Sequence, residues 1–171
     1  MDGGARVTAG AQRATLVPDP GSQDATIPVL AVAAGTELYG FPLSAVREIL
    51  MPPPLTEVPR AANHFLGVIA VRGEIVTVVD LSELLRLEDR DRQPLGRVIL
   101  VDVAEELIGV AVDRVVQVAQ LQSDQIEYAS AMSADLSEYV VGVARIPSES
   151  VATSEEMVIL IDPRALLGGL T

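Results

Sequence analysis

The side chains able to do chemistry are few, and their spacing limits what they can do. The only histidine, His64, stands one residue before the aliphatic stretch "FLGVIAVRGEIVTVVDL" of residues 65–81. No second His and no Cys lies at metal-ligand spacing from it, so it reads as a structural or surface residue rather than a ligand or a base. Asp80 and Asp162 are candidates for a carboxylate pair. Each, however, closes an aliphatic run and precedes a Leu-rich segment, where Asp caps the exposed amides of a helical turn. Gly67 and Gly73 in "GVIAVRG" are separated by strand-forming residues and cannot fold as a phosphate-binding nest before a helix. No Ser occupies a nucleophile-elbow pattern, and the absence of cysteine excludes disulfides and thiolate chemistry. The sequence therefore assigns no catalytic residue, no cofactor and no metal site. What remains is Arg72, set between two Val- and Ile-rich flanks that read as buried strands joined by a tight hairpin. A guanidinium at a rigid hairpin tip is a positioned cation whose forked donors suit a carboxylate or a backbone carbonyl. On these residues alone it reads either as an ordinary solvated turn residue or as such a handle for a partner, and in both cases it is expected to matter hardly at all for stability.

The bulk properties narrow the partners. A chain of 171 residues that is 49% hydrophobic can bury the core of one domain or of two tightly joined subdomains. With 24 acidic residues against 12 basic ones, its net charge of −12 repels a phosphate backbone, and no basic stripe interleaved with aromatics is present. Nucleic acid is excluded as a partner, and the charge itself reads as a device for solubility. No apolar run approaches the roughly 18 residues of a membrane span. Residues 1–25, rich in Gly, Pro and small polar side chains, have no signal-peptide core and read as a flexible leader on a cytoplasmic protein.

The elements that position these residues occur twice. "VLAVAAGTELYGFPLSAVREI" from Val29 aligns without a gap on "VILVDVAEELIGVAVDRVVQV" from Val98, placing Gly40 on Gly109 and Val46 on Val115. "EIVTVVDLSELL" from Glu74 aligns on "EMVILIDPRALL" from Glu156, placing Asp80 on Asp162, and "GVIAV" at Gly67 corresponds to "GVARI" at Gly142. Each unit holds some five short strands and little helix, a composition that closes most easily as a small barrel. The expected boundaries are a first barrel at about 28–92 and a second at about 93–167. Apolar residues fall at both parities of strands such as "EIVTVVD" and "RVILVDV", the mark of burial on two faces, so a hydrophobic seam between the barrels is expected. The long polar stretch "QSDQIEYASAMSADLSEY" and the stretched hairpin "PSESVATSEE" are expected as surface loops, "MPPPL" as extended backbone, and "LEDRDRQP" as a solvated connector.

The stretches "LYGFPLSAVREIL", "FLGVIAVRGEIVTVVDLSELL", "RVILVDVAEELIGVAVDRVVQV" and "VVGVARI…EEMVILIDPRALL" resemble, in order and spacing, the CheW-like domain of bacterial chemotaxis coupling proteins. The resemblance runs over residues 26–167, and its most specific block is the series Gly67, Arg72, Gly73, Asp80. It implies a mostly β fold of two SH3-like five-stranded barrels packed through a hydrophobic seam. It also implies an adaptor without catalysis of its own that couples chemoreceptors (methyl-accepting chemotaxis proteins) to the regulatory domain of a CheA-type histidine kinase. Membrane association would then arise only through receptors. Position by position, the resemblance carries receptor contact to Val46, Glu48, Gly67, Arg72 and Gly73. Two other readings stay open: a scaffold that binds or sequesters the kinase alone, in a pathway controlling surface motility, and a small hydrolase or ligand-binding barrel around Asp80 and His64.

Overall fold

The computed structural model describes residues 5–6, 26–87, 95–132 and 137–170. In chain order the strands are β1 (Ala5–Arg6), β2 (Thr26–Ala34), β3 (Glu37–Pro42), β4 (Val46–Leu50), β5 (Phe65–Val71) and β6 (Glu74–Asp80). They continue as β7 (Arg97–Val103), β8 (Glu106–Val112), β9 (Arg114–Gln122), β10 (Ile126–Tyr128), β11 (Val140–Pro147) and β12 (Glu155–Ile161). Two short helices, α1 (Leu81–Leu84) and α2 (Pro163–Leu167), follow β6 and β12. The aspartates cap them as their position predicts: Asp80 Oδ1 accepts from the amide of Ser82 at 3.0 Å, and Asp162 Oδ1 from that of Arg164 at 2.9 Å.

The strands form two six-stranded sheets, in the orders β1-β4-β7-β8-β6-β5 and β10-β11-β12-β3-β2-β9. Leaving aside the short β1 and β10, each sheet is one five-stranded copy of the repeat. The copies are not the contiguous halves that the alignment suggests. The β2–β3 hairpin lies in the second sheet, where β3 pairs in parallel with β12 and β2 pairs with β9. The β7–β8 hairpin lies in the first, where β8 pairs in parallel with β6 and β7 with β4. A division at residues 92 and 93 therefore cuts through both barrels. The exchange has a simple physical basis: equivalent hairpins present the same apolar faces, and either barrel accepts either one.

Two-sided burial follows directly from the period of the strands. Along β2, Val29, Ala31 and Ala33 point into the second barrel with Leu121, Ile146 and Leu160, while Leu30, Val32 and Ala34 point the other way. There they meet Tyr39 and Phe41 from their own sheet and Val79, Ile99, Val101 and Val110 from the first sheet, forming the expected seam. The first barrel is filled by Ile69, Val76, Val78, Val98, Leu100 and Ala111. Gly40 and Gly109 occupy matching places in this packing. A Cβ on Gly40 would come within 2.6 Å of Val29 Cγ1, and one on Gly109 within 3.0 Å of both Val78 Cγ2 and Val98 Cγ1.

The connections also differ in places from a plain loop reading. After β4, the proline-rich stretch returns along β5, where Thr56 and Val68 exchange two backbone hydrogen bonds of 2.9 Å. The polar stretch after β9 contributes β10, which pairs with β11 in the corresponding position. The 148–154 connection is a surface loop in which Ser148 Oγ accepts from the amides of Ser150 and Val151. At the amino terminus, Ala5–Arg6 form a strand on β4 rather than a free leader. The rest of the leader reading, at residues 1–4 and 7–25, and the connector at 88–94 fall outside the described residues.

Candidate functional site

The β5–β6 hairpin turns through two residues, with Val71 opposite Glu74 and positive φ at both Arg72 (48°) and Gly73 (84°). These signs define a type I′ turn, which matches the twist of the flanking strands and ordinarily takes Asn-Gly. An arginine in the left-handed region costs about 1 to 2 kcal/mol, so its side chain must supply a reason for being there. It does. Arg72 Nη1 donates to Glu48 Oε2 at 2.7 Å and Nη2 to Oε1 at 2.8 Å, a parallel two-bond fork. The Glu48 side chain is 1% exposed and that of Arg72 38%.

The pair spans the barrel. β4 and β5 are at opposite ends of the five-strand order, so the fork fastens the tip of the β5–β6 hairpin to β4 across the line where the sheet closes on itself. The Thr56–Val68 bridge closes the same barrel from the side of β5. A bulge in β4, where the register against β7 slips between Val46 and Glu48, sets Arg47 outward. Arg47 pairs with Asp102 on the exterior at 2.9 to 3.0 Å. A buried carboxylate is costly unless paired and hydrogen-bonded, so the fork belongs to the fold as well as to any surface. Arg72 is exposed at the tip as expected, but it is also engaged with a buried carboxylate, so its loss is expected to cost stability as well.

The other candidate residues divide by burial. Val46 is 1% exposed and lies in the seam, so it offers no surface. Gly67 is buried at a bulge of β5, has φ 148°, and a Cβ there would collide with the Thr56 carbonyl. Its repeat partner Gly142 abuts the Glu127 carbonyl in the same way. Both glycines admit the returning strand segment. Gly67→Ala is therefore expected to lower the melting temperature by several degrees, with a loss of about 1 to 3 kcal/mol from the forced φ and the collision. Thermal melts followed by circular dichroism check this; an unchanged melt would return Gly67 to the set of contact residues.

At the tip, Arg72, Gly73, Glu74 and Ile75 are exposed together, and Ile75, at 78%, is the most exposed large hydrophobic among the described residues. The sequence reading passed over Ile75 because it alternates correctly within β6; its outward parity opposite buried Val76 was the available signal. Val46, Glu48 and Gly67 lie beneath the surface, whereas Arg72 and Gly73 are exposed at the hairpin tip, with Arg72 reaching down to Glu48.

The remaining chemical candidates are separated. Asp80 and Asp162 end strands of different sheets, each as a helix cap. His64 packs at a tilt against Phe65, with ring centroids 4.4 Å apart, and its buried Nε2 has no hydrogen-bond partner. Beside it, a cleft of about 370 Å³ is lined by Glu57, Phe65, Asp80, Glu83 and Asp113 among others, but Asp80 is engaged with Ser82 and Asp113 accepts from the Gly35 amide at 2.8 Å. Among the described residues no group of three or more His, Cys, Asp or Glu side chains is placed to hold a metal ion. In the seam, burial pushes the Tyr39 phenol above its ordinary pKa, reinforced by Glu37 and Tyr139.

Two five-stranded barrels that exchange hairpins and share an aliphatic seam define a double SH3-like β-barrel domain. The chain belongs to the CheW-like family: the family profile for the CheW-like domain matches residues 28–170. It is 26% identical over 139 residues to a probable chemotaxis protein CheW of Rhizobium etli, covering 81% of this chain and 85% of that one. It is 29% identical over 134 residues to the chemotaxis protein CheW of Klebsiella aerogenes, covering 78% and 76%. In fold it is similar to the scaffolding protein TtCheW of Thermoanaerobacter tengcongensis, with a TM-score of 0.70 at 24% identity over 84% of this chain and 93% of that one.

Proposed function

We infer that this protein is an adaptor of bacterial chemosensory signalling that couples chemoreceptors to a CheA-type histidine kinase and performs no catalysis itself. The observation that carries the reading is the match of the CheW-like family along residues 28–170, the whole double barrel. The site agrees with it: Asp80 and Asp162 serve as helix caps, and Glu48 and Arg72 are joined in the fork. The receptor's cytoplasmic hairpin tip contacts the rim formed by Arg72 and Gly73 with Glu74 and Ile75, while Glu48, Val46 and Gly67 set that rim from beneath. The kinase regulatory domain docks elsewhere, mainly on the second barrel, so both partners are held at once in the cytoplasm and the membrane is reached only through the receptor.

Binding measured separately to a receptor cytoplasmic fragment and to the regulatory domain of a CheA-type kinase tests this. Both are expected to bind. Capture of the kinase domain alone would favour a sequestering scaffold, and capture of neither would remove the adaptor reading.

A further inference from the structure

Both barrels close at the same place, with different chemistry. In the first, Thr56 bridges to Val68, and beyond it the outer edge of β5 at residues 69–71 has no strand beside it among the described residues. The Glu48–Arg72 fork makes the closure there. In the second, β10 pairs with residues 142–144, and the outer edge of β11 at residues 145–147 is likewise without a strand. Gln117 reaches across from β9, at the opposite end of the five-strand order, and its Nε2 donates to the Pro147 carbonyl at 2.6 Å. The positions correspond. The repeat sets Glu48 on Gln117, and "GVIAVR" from Gly67 on "GVARIP" from Gly142 sets Arg72 on Pro147. The same pair of positions therefore fastens the hairpin in each barrel, by an ionic fork in the first and by a neutral bond in the second. The residue types suit the second form. Proline has no N–H, so its carbonyl is its one backbone group in need of a partner, and a carbonyl accepts only from the nitrogen of the Gln amide.

What Gln117 fastens is the neck of the β11–β12 hairpin. Pro147 pairs with Glu155 as Val71 pairs with Glu74, and residues 148–154 stand where the first barrel has its two-residue turn. This loop is tied to itself. The Ser148 amide donates to the Ser154 carbonyl at 2.9 Å, and the Ser154 amide and hydroxyl both donate to the Val151 carbonyl, which leaves the Val151 side chain exposed. In β12, Met157 occupies the repeat position of Ile75, and both are exposed. The second barrel thus carries a rim built like the first, at the related place. An adaptor that holds two partners at once needs two such surfaces, and the receptor takes the first. We propose that Gln117 is the positioning residue of the second rim: its amide latches the β11–β12 hairpin to β9 and so sets the tip against which the kinase regulatory domain is held. The kinase part rests on the coupling reading above; the latch does not.

The test uses the full chain with Gln117→Ala, which removes the donor, Gln117→Glu, which sets a carboxylate against the carbonyl, and Gln117→Lys, which keeps a donor. A fourth chain has residues 148–154 replaced by Asn-Gly, the residues a two-residue turn favours. Hydrogen exchange is read at the Ser148 and Ser154 amides, with β7 and β8 as internal reference. Affinities for a CheA-type regulatory domain and for a receptor cytoplasmic fragment are measured separately, beside melting curves. In Gln117→Ala and Gln117→Glu the neck amides are expected to exchange about three- to tenfold faster, the range one neutral hydrogen bond supports, while β7 and β8 stay as they were. Kinase affinity should fall by a similar factor in these two and in the shortened hairpin. Gln117→Lys should restore it, and receptor affinity should stay constant throughout. Unchanged exchange at the neck would overturn the latch. Faster exchange with unaltered kinase affinity, or an equal loss of kinase and receptor binding, would overturn the positioning role and leave Gln117 a closure of the barrel alone. A regulatory domain that binds none of the chains, the parent included, would overturn the coupling reading and the kinase part with it, whereas exchange still decides the latch.

Discussion

Arg72→Glu is expected to destabilise the protein by about 2 to 3 kcal/mol, below the full scale for breaking a fully buried pair because the Arg72 side chain is 38% exposed. The substituted side chain would face the 1%-exposed carboxylate of Glu48 with a second carboxylate, at the point where the hairpin tip is fastened to β4. For a domain of this size the loss corresponds to a fall in melting temperature of roughly 4 to 12 °C. Arg72→Asn separates the turn from the fork. Asn tolerates the left-handed region that Arg72 occupies at φ 48°, so a turn-only role predicts a neutral or stabilising change. The fork predicts a clear loss instead, and Arg72→Lys, which keeps the charge but not the two-bond geometry, should fall between them. A melt of Arg72→Glu indistinguishable from that of the parent chain would show that Glu48 is satisfied without Arg72. Loss of receptor binding in this variant has to be read at a temperature where it remains folded, because fold and rim share the same pair.

Dividing the chain between residues 92 and 93 is expected to abolish folding of both pieces. Residues 26–92 carry β2 and β3, whose neighbours β9 and β12 are in the other piece, and residues 93–171 carry β7 and β8, whose neighbours β4 and β6 are in the first. Each piece alone therefore lacks strand partners inside a barrel as well as its share of the seam, and would expose most of the aliphatic surface gathered in the three core clusters. Neither should give a cooperative melt. Produced together, the pieces should assemble into a single species with one transition. A sharp two-state melt from either isolated piece would contradict the exchanged topology.

Much of this architecture is legible in the sequence because it is written in short periods. The alternation of Val29, Leu30, Ala31 and Val32 between two cores announces burial on both faces, and the aspartates before Leu81 and Pro163 announce caps. The glycines shared by the two copies mark the repeat, and the structure sets them at tight contacts, Gly40 with Gly109 and Gly67 with Gly142. What the alignment cannot carry is which copy pairs with which. Two hairpins of equal pattern satisfy either barrel, so contiguous halves and exchanged halves have the same signature along the chain. The fork was hidden for a related reason. Glu48 and Arg72 are 24 positions apart, and each alone has the pattern of a surface residue. Their pairing depends on barrel closure and on the bulge in β4, both tertiary events. A local hint was present all the same: Arg in the first position of an I′ turn is a poor choice for the turn itself, which points to a use for its side chain.

Co-sedimentation with receptor-bearing vesicles tests the coupling most directly. Vesicles carrying a chemoreceptor are mixed with a CheA-type kinase in the presence and absence of this protein, and the kinase in the pellet is measured. This protein is expected to pellet with the receptor and kinase recruitment to depend on it, so that little kinase sediments without it. Kinase that sediments equally in its absence, or receptor that retains this protein without bringing the kinase down, would contradict the adaptor role.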